Sequence, residues 1–250
     1  MPDVLAQALA TQGLVWIVGA ALLAGTVRGF AGFGTAMIYL PVAGQFLSPV
    51  TAIVTLVTMD LFGPLPAVPR ALREADWPDL RRLVIASSLA TIVGVWALAQ
   101  FDATMFRYVV SVATLVLLVA LVSGLRYTGR LTPPRIYGVG AAGGVLGGAA
   151  GLAGPPVILL YMASTHAPHV IRATTMLFLM AFDVALLVIL GAQGVLSAQG
   201  ITIGLMLVPA VALGTMIGTA LFDPARERLY RRVAYVIIAV SALRGLPFWG

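Results

Sequence analysis

Apolar residues run through this chain in long blocks separated by short polar gaps. Ten blocks stand out. The first five are Leu14–Val27, Ala31–Phe46, Pro49–Val68, Leu80–Ala99 and Thr104–Leu125. The second five are Ile136–Ala149, Ala153–Thr165, Val170–Gly191, Ile201–Phe222 and Arg232–Leu246. Several approach or exceed the ~18 residues that read as a membrane-crossing helix. Ile201–Phe222 carries no charge at all. The alternating ten-residue strands of an outer-membrane barrel are absent from the pattern. The pattern therefore predicts an all-α, polytopic transmembrane protein with eight to ten helices. Two of them, in the blocks Ala31–Phe46 and Ala153–Thr165, are predicted to be short or broken.

Composition supports this. Hydrophobic residues make up 60% of the 250 residues and charged residues 10%, with a mean hydropathy of +1.03. A soluble domain needs roughly 25% charged residues to clothe its surface. With no Cys, thiol chemistry, disulfides and thiolate metal sites are excluded. His166 and His169 are the only histidines, too few by themselves for a metal centre. No metal or other cofactor is expected. The net charge is +6 and all fifteen basic residues are Arg. They cluster in short gaps between apolar blocks, which points to membrane topology and away from nucleic acid. The first twelve residues contain Asp3 and no Arg, so the first apolar block is expected to be a retained helix and not a cleaved leader.

Arg placement also sets an orientation. If the N-terminus is outside and every block crosses, the inside gaps hold Arg28; Arg70, Arg73, Arg81 and Arg82; Arg126, Arg130 and Arg135; Arg172; and Arg226, Arg228, Arg231 and Arg232. That is thirteen of the fifteen, with Arg107 and Arg244 the exceptions. Both termini are expected on the periplasmic side of a bacterial inner membrane. The stretch Arg70–Arg82, with Glu74, Asp76 and Asp79, reads as a solvated cytoplasmic turn. Trp16, Trp77, Trp96 and Trp249 read as interfacial or lipid-facing.

The chain repeats itself. GTVRGFAG at 25–32 is matched by GVLGGAAG at 144–151, Pro49 by Pro168, and Thr55 by Thr174. This divides the chain into repeats 1–128 and 129–250, together one membrane domain. Five blocks is an odd number, so the second repeat is expected to be inverted, a recurrent plan of secondary transporters. In each repeat a glycine-rich block interrupts a helix: Gly29–Thr35 running on to Pro41, and Gly147–Pro156. A fresh helix start carries free N–H groups and partial positive charge. In a membrane it is tolerated only where it lines a cavity or is buried in protein. Gly32, Phe33, Gly34 and Thr35, with Gly151, Ala153, Gly154 and Pro155, are the candidate anion-binding residues. The alternative is close helix packing, and Gly25, Gly29, Gly140, Gly144 and Gly148 fit that reading.

The doubled pattern resembles the TauE/SafE sulfite exporter family. The resemblance rests on Gly25, Gly29, Gly32, Gly34, Pro41, Pro49, Ala52 and Thr55 in the first repeat. In the second it rests on Gly144, Gly147, Gly148, Gly151, Gly154, Pro155, Pro168, Ala173, Thr174 and Thr175. It spans nearly the whole chain and departs from the family pattern at Gly34-Thr35-Ala36 and at Ala153. The resemblance implies transport of sulfur-containing anions such as sulfite, sulfoacetate or other organosulfonates, with export the implied direction. A small anionic substrate and the lipid bilayer are the expected partners, and a homodimer is compatible with the class.

Other polar residues fill out the expected site. Thr55 and Thr174 are candidate hydroxyl donors. Arg28 and Arg172 either form paired hydrogen bonds to an oxyanion or simply mark inside helix ends. Asp60 and Asp183 lie within apolar blocks, where a carboxyl costs roughly 2.5–3.5 kcal/mol to insert. They are candidates for proton coupling or for a structural role. No GxxxxGK[ST] nucleotide loop is present, so an ion or substrate gradient would drive alternating access. A membrane-embedded acyl- or phosphotransferase with glycine-rich anion loops is the alternative. It lacks a nucleophile with an oriented base, since no acid adjoins Ser164, Thr165 and the two histidines in sequence. A scaffold subunit would not need matched helix breaks.

Overall fold

The computed structural model describes residues 2–123, 131–161, 164, 166–223 and 226–248. Arg126, Arg130, Thr165 and Trp249 lie outside the described residues. All regular structure among the described residues is helical. In order, the helices are α1 (Pro2–Leu9), α2 (Leu14–Ala31), α3 (Thr35–Ala43), α4 (Pro49–Phe62), α5 (Val68–Glu74), α6 (Trp77–Leu98), α7 (Ala103–Val122), α8 (Pro133–Ala150), α9 (Gly154–Tyr161), α10 (Pro168–Ala192), α11 (Ala198–Leu221) and α12 (Glu227–Gly245). Among the described residues, five are long and apolar enough to cross a membrane: α2, α6, α7, α10 and α11. The class is the one the apolar pattern predicts. Helices α1 and α5 were not foreseen.

Local signals set the helix ends. Asp76 caps α6 by accepting from the Asp79 N–H at 3.0 Å, and Ser197 caps α11 by accepting from the Gly200 N–H at 3.0 Å. Pro occupies the first turn of α6, α8 and α10, where its missing N–H costs nothing. Gly32 (φ 79°) ends α2 and Gly151 (φ 68°) ends α8, each donating its N–H to the carbonyl four residues back at 2.8 Å.

The chain folds into two compact units, each drawing on both halves of the sequence. The first comprises residues 1–59, 101–118 and 196–250; the second comprises 60–100 and 119–195. In the first unit α2 packs along α11. A Cβ on Gly25 would fall 2.5 Å from the Val211 carbonyl oxygen, one on Gly29 2.5 Å from that of Thr215, and one on Gly218 2.0 Å from that of Thr26. In the second unit α8 packs along α6 in the same manner. Gly140 meets the Leu83 carbonyl at 2.9 Å, Gly144 that of Ser87 at 2.3 Å, and Gly148 that of Thr91 at 2.7 Å. Residue numbers rise together along both seams, so each pair is parallel. The seam glycines do the close packing that small residues permit between membrane helices.

Each unit then repeats one motif. An 18-residue helix, α2 or α8, is about 27 Å long. It ends in a glycine turn, and a short helix runs back. In the first unit, α3 and the residues after it bring the Phe46 ring against Gly13, just before α2. In the second, the Tyr161 hydroxyl at the end of α9 reaches Asp79, near the start of α6. Each short helix thus runs back toward the starting end of its unit's long helices, and the Phe46 ring and the Tyr161 hydroxyl complete the return. The first glycine turn follows a helix long and apolar enough to span, α2, and the second follows α8, an 18-residue helix.

The seams give a sharp test. Gly218→Ala and Gly144→Ala each force a methyl into backbone and should destabilise by about 1–3 kcal/mol. Gly19→Ala and Gly138→Ala, also helical but with no atom within 4 Å of the added carbon, should be neutral or stabilising by up to about 1 kcal/mol. Thermal unfolding in detergent would rank the four.

Candidate functional site

The first glycine turn runs Gly32-Phe33-Gly34 into Thr35, the first residue of α3. Gly34 has φ 105°, a conformation that side-chain-bearing residues rarely adopt. Thr35 is buried, and the Gly34 carbonyl accepts the first helical bond, from the Ile38 N–H at 3.1 Å. The N–H groups of the first turn of α3 have no partner within the helix. Phe33 leans on Tyr235 of α12, ring centroids 6.3 Å apart. Arg28 sits in the last turn of α2. Thr55, on α4, is fully buried. Its hydroxyl donates to the Ala52 carbonyl at 2.8 Å and accepts from the Tyr39 hydroxyl at 2.7 Å. Both of its functions are thereby engaged within the unit.

The second turn, Gly151-Leu152-Ala153, leads into Gly154 and Pro155, the first residues of α9. Leu152, Ala153, Gly154 and Pro155 are all buried. A carbon added at Gly154 would meet the Leu179 side chain at 3.4 Å and that of Ile158 at 3.9 Å. Ala153 packs toward Gly143 and Gly147 of α8, so the departure from the family glycine fills space against that helix. Thr174 is fully buried and its hydroxyl accepts from the Asp76 N–H at 2.9 Å. Arg172 is exposed near the start of α10.

The two candidate carboxyls differ in setting. Asp183 is buried, four turns into α10. Asp60 is not mid-helix as the apolar block Pro49–Val68 implied. Helix α4 ends at Phe62, because Gly63 and Pro64 follow, and Asp60 lies in its last turn. There a negative charge faces the unfavourable end of the helix dipole.

One group was missed. The stretch 70–82 is not a solvated turn. Residues 68–74 form α5, Asp76 caps α6, and Asp79 is buried. His166 Nε2 lies 3.2 Å from Asp76 Oδ2, the Tyr161 hydroxyl 3.5 Å from Asp79 Oδ2, and Arg82 Nη1 2.8 Å from Asp79 Oδ1. Asp76, Asp79 and His166 could offer three ligand atoms within 4.8 Å of one another. The Arg82 guanidinium already engages Asp79 and opposes a divalent cation there. The sequence signal was Asp-x-x-Asp at a helix start followed by an Arg. Its partner His166 stands ninety residues away.

Apolar spans, glycine seams and buried helix starts define a multi-pass, membrane-embedded helical protein. Comparison with known sequences makes the class specific. The sequence model of the sulfite exporter TauE/SafE family matches residues 17–245, and the chain belongs to that family. Its members are membrane transporters, not enzymes. The chain is 30% identical to the "Probable sulfite/organosulfonate exporter TauE" of Cupriavidus necator, over 94% of this chain and 93% of that protein. No solved structure matches the chain at a significant level.

The two helix starts should respond differently to a methyl group. Gly34→Ala must hold a side chain at φ 105° and should lose on the order of 1–3 kcal/mol. Gly154→Ala, with an ordinary φ and only the ends of the Leu179 and Ile158 side chains among its nearest neighbours, at ordinary contact distance, should fold like the parent. Unfolding midpoints of the two variants check this.

Proposed function

We propose that this chain is a secondary transporter that exports a small sulfur oxyanion, sulfite or an organosulfonate, across a bacterial inner membrane. The observation that carries the reading is the glycine turn in each unit followed by a buried helix start. Buried N–H groups aimed away from their own helix need a partner, and an anion supplies one without a permanent counter-charge. Thr35 adds a hydroxyl beside the first of these starts. The name of the Cupriavidus relative supports the choice of anion.

Alternating access between two inverted repeats is part of this proposal, with both termini on the periplasmic side. The parallel packing of α6 and α8, with only α7 between them in the chain, supports an up-down-up passage of that stretch. Arg distribution supports the assignment of sides. In this reading Asp60 and Asp183 couple proton movement to anion movement, and Arg28 and Arg172 act chiefly as topological markers. Binding then depends on neutral donors at Gly32–Thr35 and Gly151–Pro155.

Thermal shift on the detergent-purified protein tests binding. The probes are sulfite, sulfoacetate, taurine, sulfate and acetate, each at two pH values. A ligand at 100 times its Kd should stabilise by about 2.7 kcal/mol. Stabilisation by sulfite or sulfoacetate alone, abolished by Gly154→Leu, is the expected result. A folded protein that responds to none of the sulfur anions would sink the reading.

Coupling has its own test in proteoliposomes. Asp60→Asn with Asp183→Asn should leave flux down a sulfite gradient and abolish its acceleration by a pH gradient. Unchanged acceleration would remove both carboxyls from the coupling role.

A further inference from the structure

The cluster at the start of α6 is a polar assembly that the proposed transport path does not use. Asp76 is its hub. Its Oδ1 caps α6, its N–H donates to Thr174 of α10, and its Oδ2 meets His166, two residues before α10. One turn on, Asp79 receives the Tyr161 hydroxyl from the end of α9. The far end of α9 and the start of α10 are thus fastened to the start of one spanning helix. Helix α9 is only eight residues long, a rod of about 12 Å. Whatever holds Tyr161 and His166 therefore sets where Gly154 points.

Charge makes this fastening incomplete. Asp76 and Asp79 face one guanidinium, that of Arg82, which leaves one negative charge. The N-terminus of α6 offsets about half of it. The remaining charged or titratable groups on the elements packed here are Arg70, Arg73 and Glu74 of α5, Arg81 of α6, Arg135 and Tyr137 of α8, and His169, Arg172 and Asp183 of α10. Arg70 is paired with Glu74 at 2.7 Å. Arg73, Arg81, Arg135, His169 and Arg172 are exposed. Asp183 lies four turns along α10. His166 is the group in the cluster that can supply the missing positive charge, and histidine is the side chain that changes charge near neutrality. Its Nδ1 is buried without a partner among the described residues.

We propose that Asp76 and His166 are positioning residues for α9, and that the pair binds one proton that tightens its hold on the start of α6. The role of α9 rests on the transport reading above; the pairing itself does not. With the proton bound, the short helix is clamped and cycling is slow. Without it, the clamp loosens and cycling is faster. This differs from coupling through Asp60 and Asp183, because it acts when the pH is equal on both sides of the membrane.

Two measurements decide it. With only two histidines in the chain, 15N-histidine NMR in detergent can follow both imidazoles, and His166→Gln assigns them. Asp76→Asn should move the His166 titration midpoint down and leave that of His169 in place. An unmoved His166 midpoint overturns the pairing, whether or not the protein transports sulfite.

The second measurement is sulfite counterflow in proteoliposomes at equal internal and external pH. Parent flux should rise roughly fivefold from pH 6 to pH 8, the scale set by charging one hydrogen bond. His166→Gln should be fast at both pH values, and His166→Arg slow at both. Opposite effects at one position cannot come from misfolding. If both variants keep the parental pH profile, or the parent profile is flat, the positioning role is overturned. If the parent moves no sulfite while the NMR midpoint shifts as expected, the transport reading fails and the proton pair stands.

Discussion

Hydrocarbon offers no partner to a backbone amide, and the architecture of this chain follows from that constraint. Every N–H and C=O within a bilayer must be satisfied by the chain itself. Helices achieve this for all but their ends. The difficulty is a fold that needs helix ends beside the spans, as this one does at Gly32–Gly34 and Gly151–Ala153. The solution is glycine in the left-handed region, which closes α2 and α8 with a hydrogen bond to the last free carbonyls. A buried helix start follows at once. Threonine hydroxyls at 26, 91 and 215 bond to the carbonyl four residues back, so these three are satisfied locally, whereas the buried hydroxyls of Ser111, Thr114 and Thr175 have no partner among the described residues.

The seams impose a second constraint, on order of assembly. Helix α2 finds its parallel partner in α11, nearly two hundred residues later, and α8 finds its own in α6. Each half of the sequence therefore lends one long helix to the packing of the other. The first unit cannot bury Gly25 and Gly29 until α11 has been made. Carbonyl oxygens packed against glycine Cα atoms leave no room for a methyl, so these partners are specific in register. An apolar stripe would bind less selectively in lipid, where there is no hydrophobic drive between helices.

Helix class, most spans and both glycine turns were legible in the sequence because each has a local signal: apolar length, Pro in a first turn, Gly after a last turn. The packing glycines were legible for the same reason. What the sequence did not show was tertiary. Asp76 and Asp79 look like solvent-facing acids between Arg residues, and only the docking of α9 and α10 buries one and gives the other a histidine. Asp60 was misplaced by counting apolar residues through Gly63-Pro64, where the helix stops. The depth of the turns was also beyond reach. A block such as Gly29–Thr35 reads the same whether it breaks a helix in its middle or follows a complete one, and the contact of Phe46 with Gly13 distinguishes the two.

The chemistry of the two helix starts bears on why a transporter would use them. Conduction and transport need binding that is favourable enough for the anion to enter and weak enough for it to leave. A buried Arg would meet the first demand and fail the second, since a charge-assisted bidentate pair is about twice as strong per bond as a neutral one. Arg172 is exposed, and the residues beside Gly154 are the buried Leu152, Ala153 and Pro155 and the half-buried Leu179. Free N–H groups at the end of a short helix give a modest attraction that depends on how the helix points. In the proposed transport reading, such a site would be tuned by tilting α9 through a few degrees, with no charged contact to break. On that reading control would lie at the opposite end of the same helix, where Tyr161 is held against Asp79 and His166, a few residues on, against Asp76.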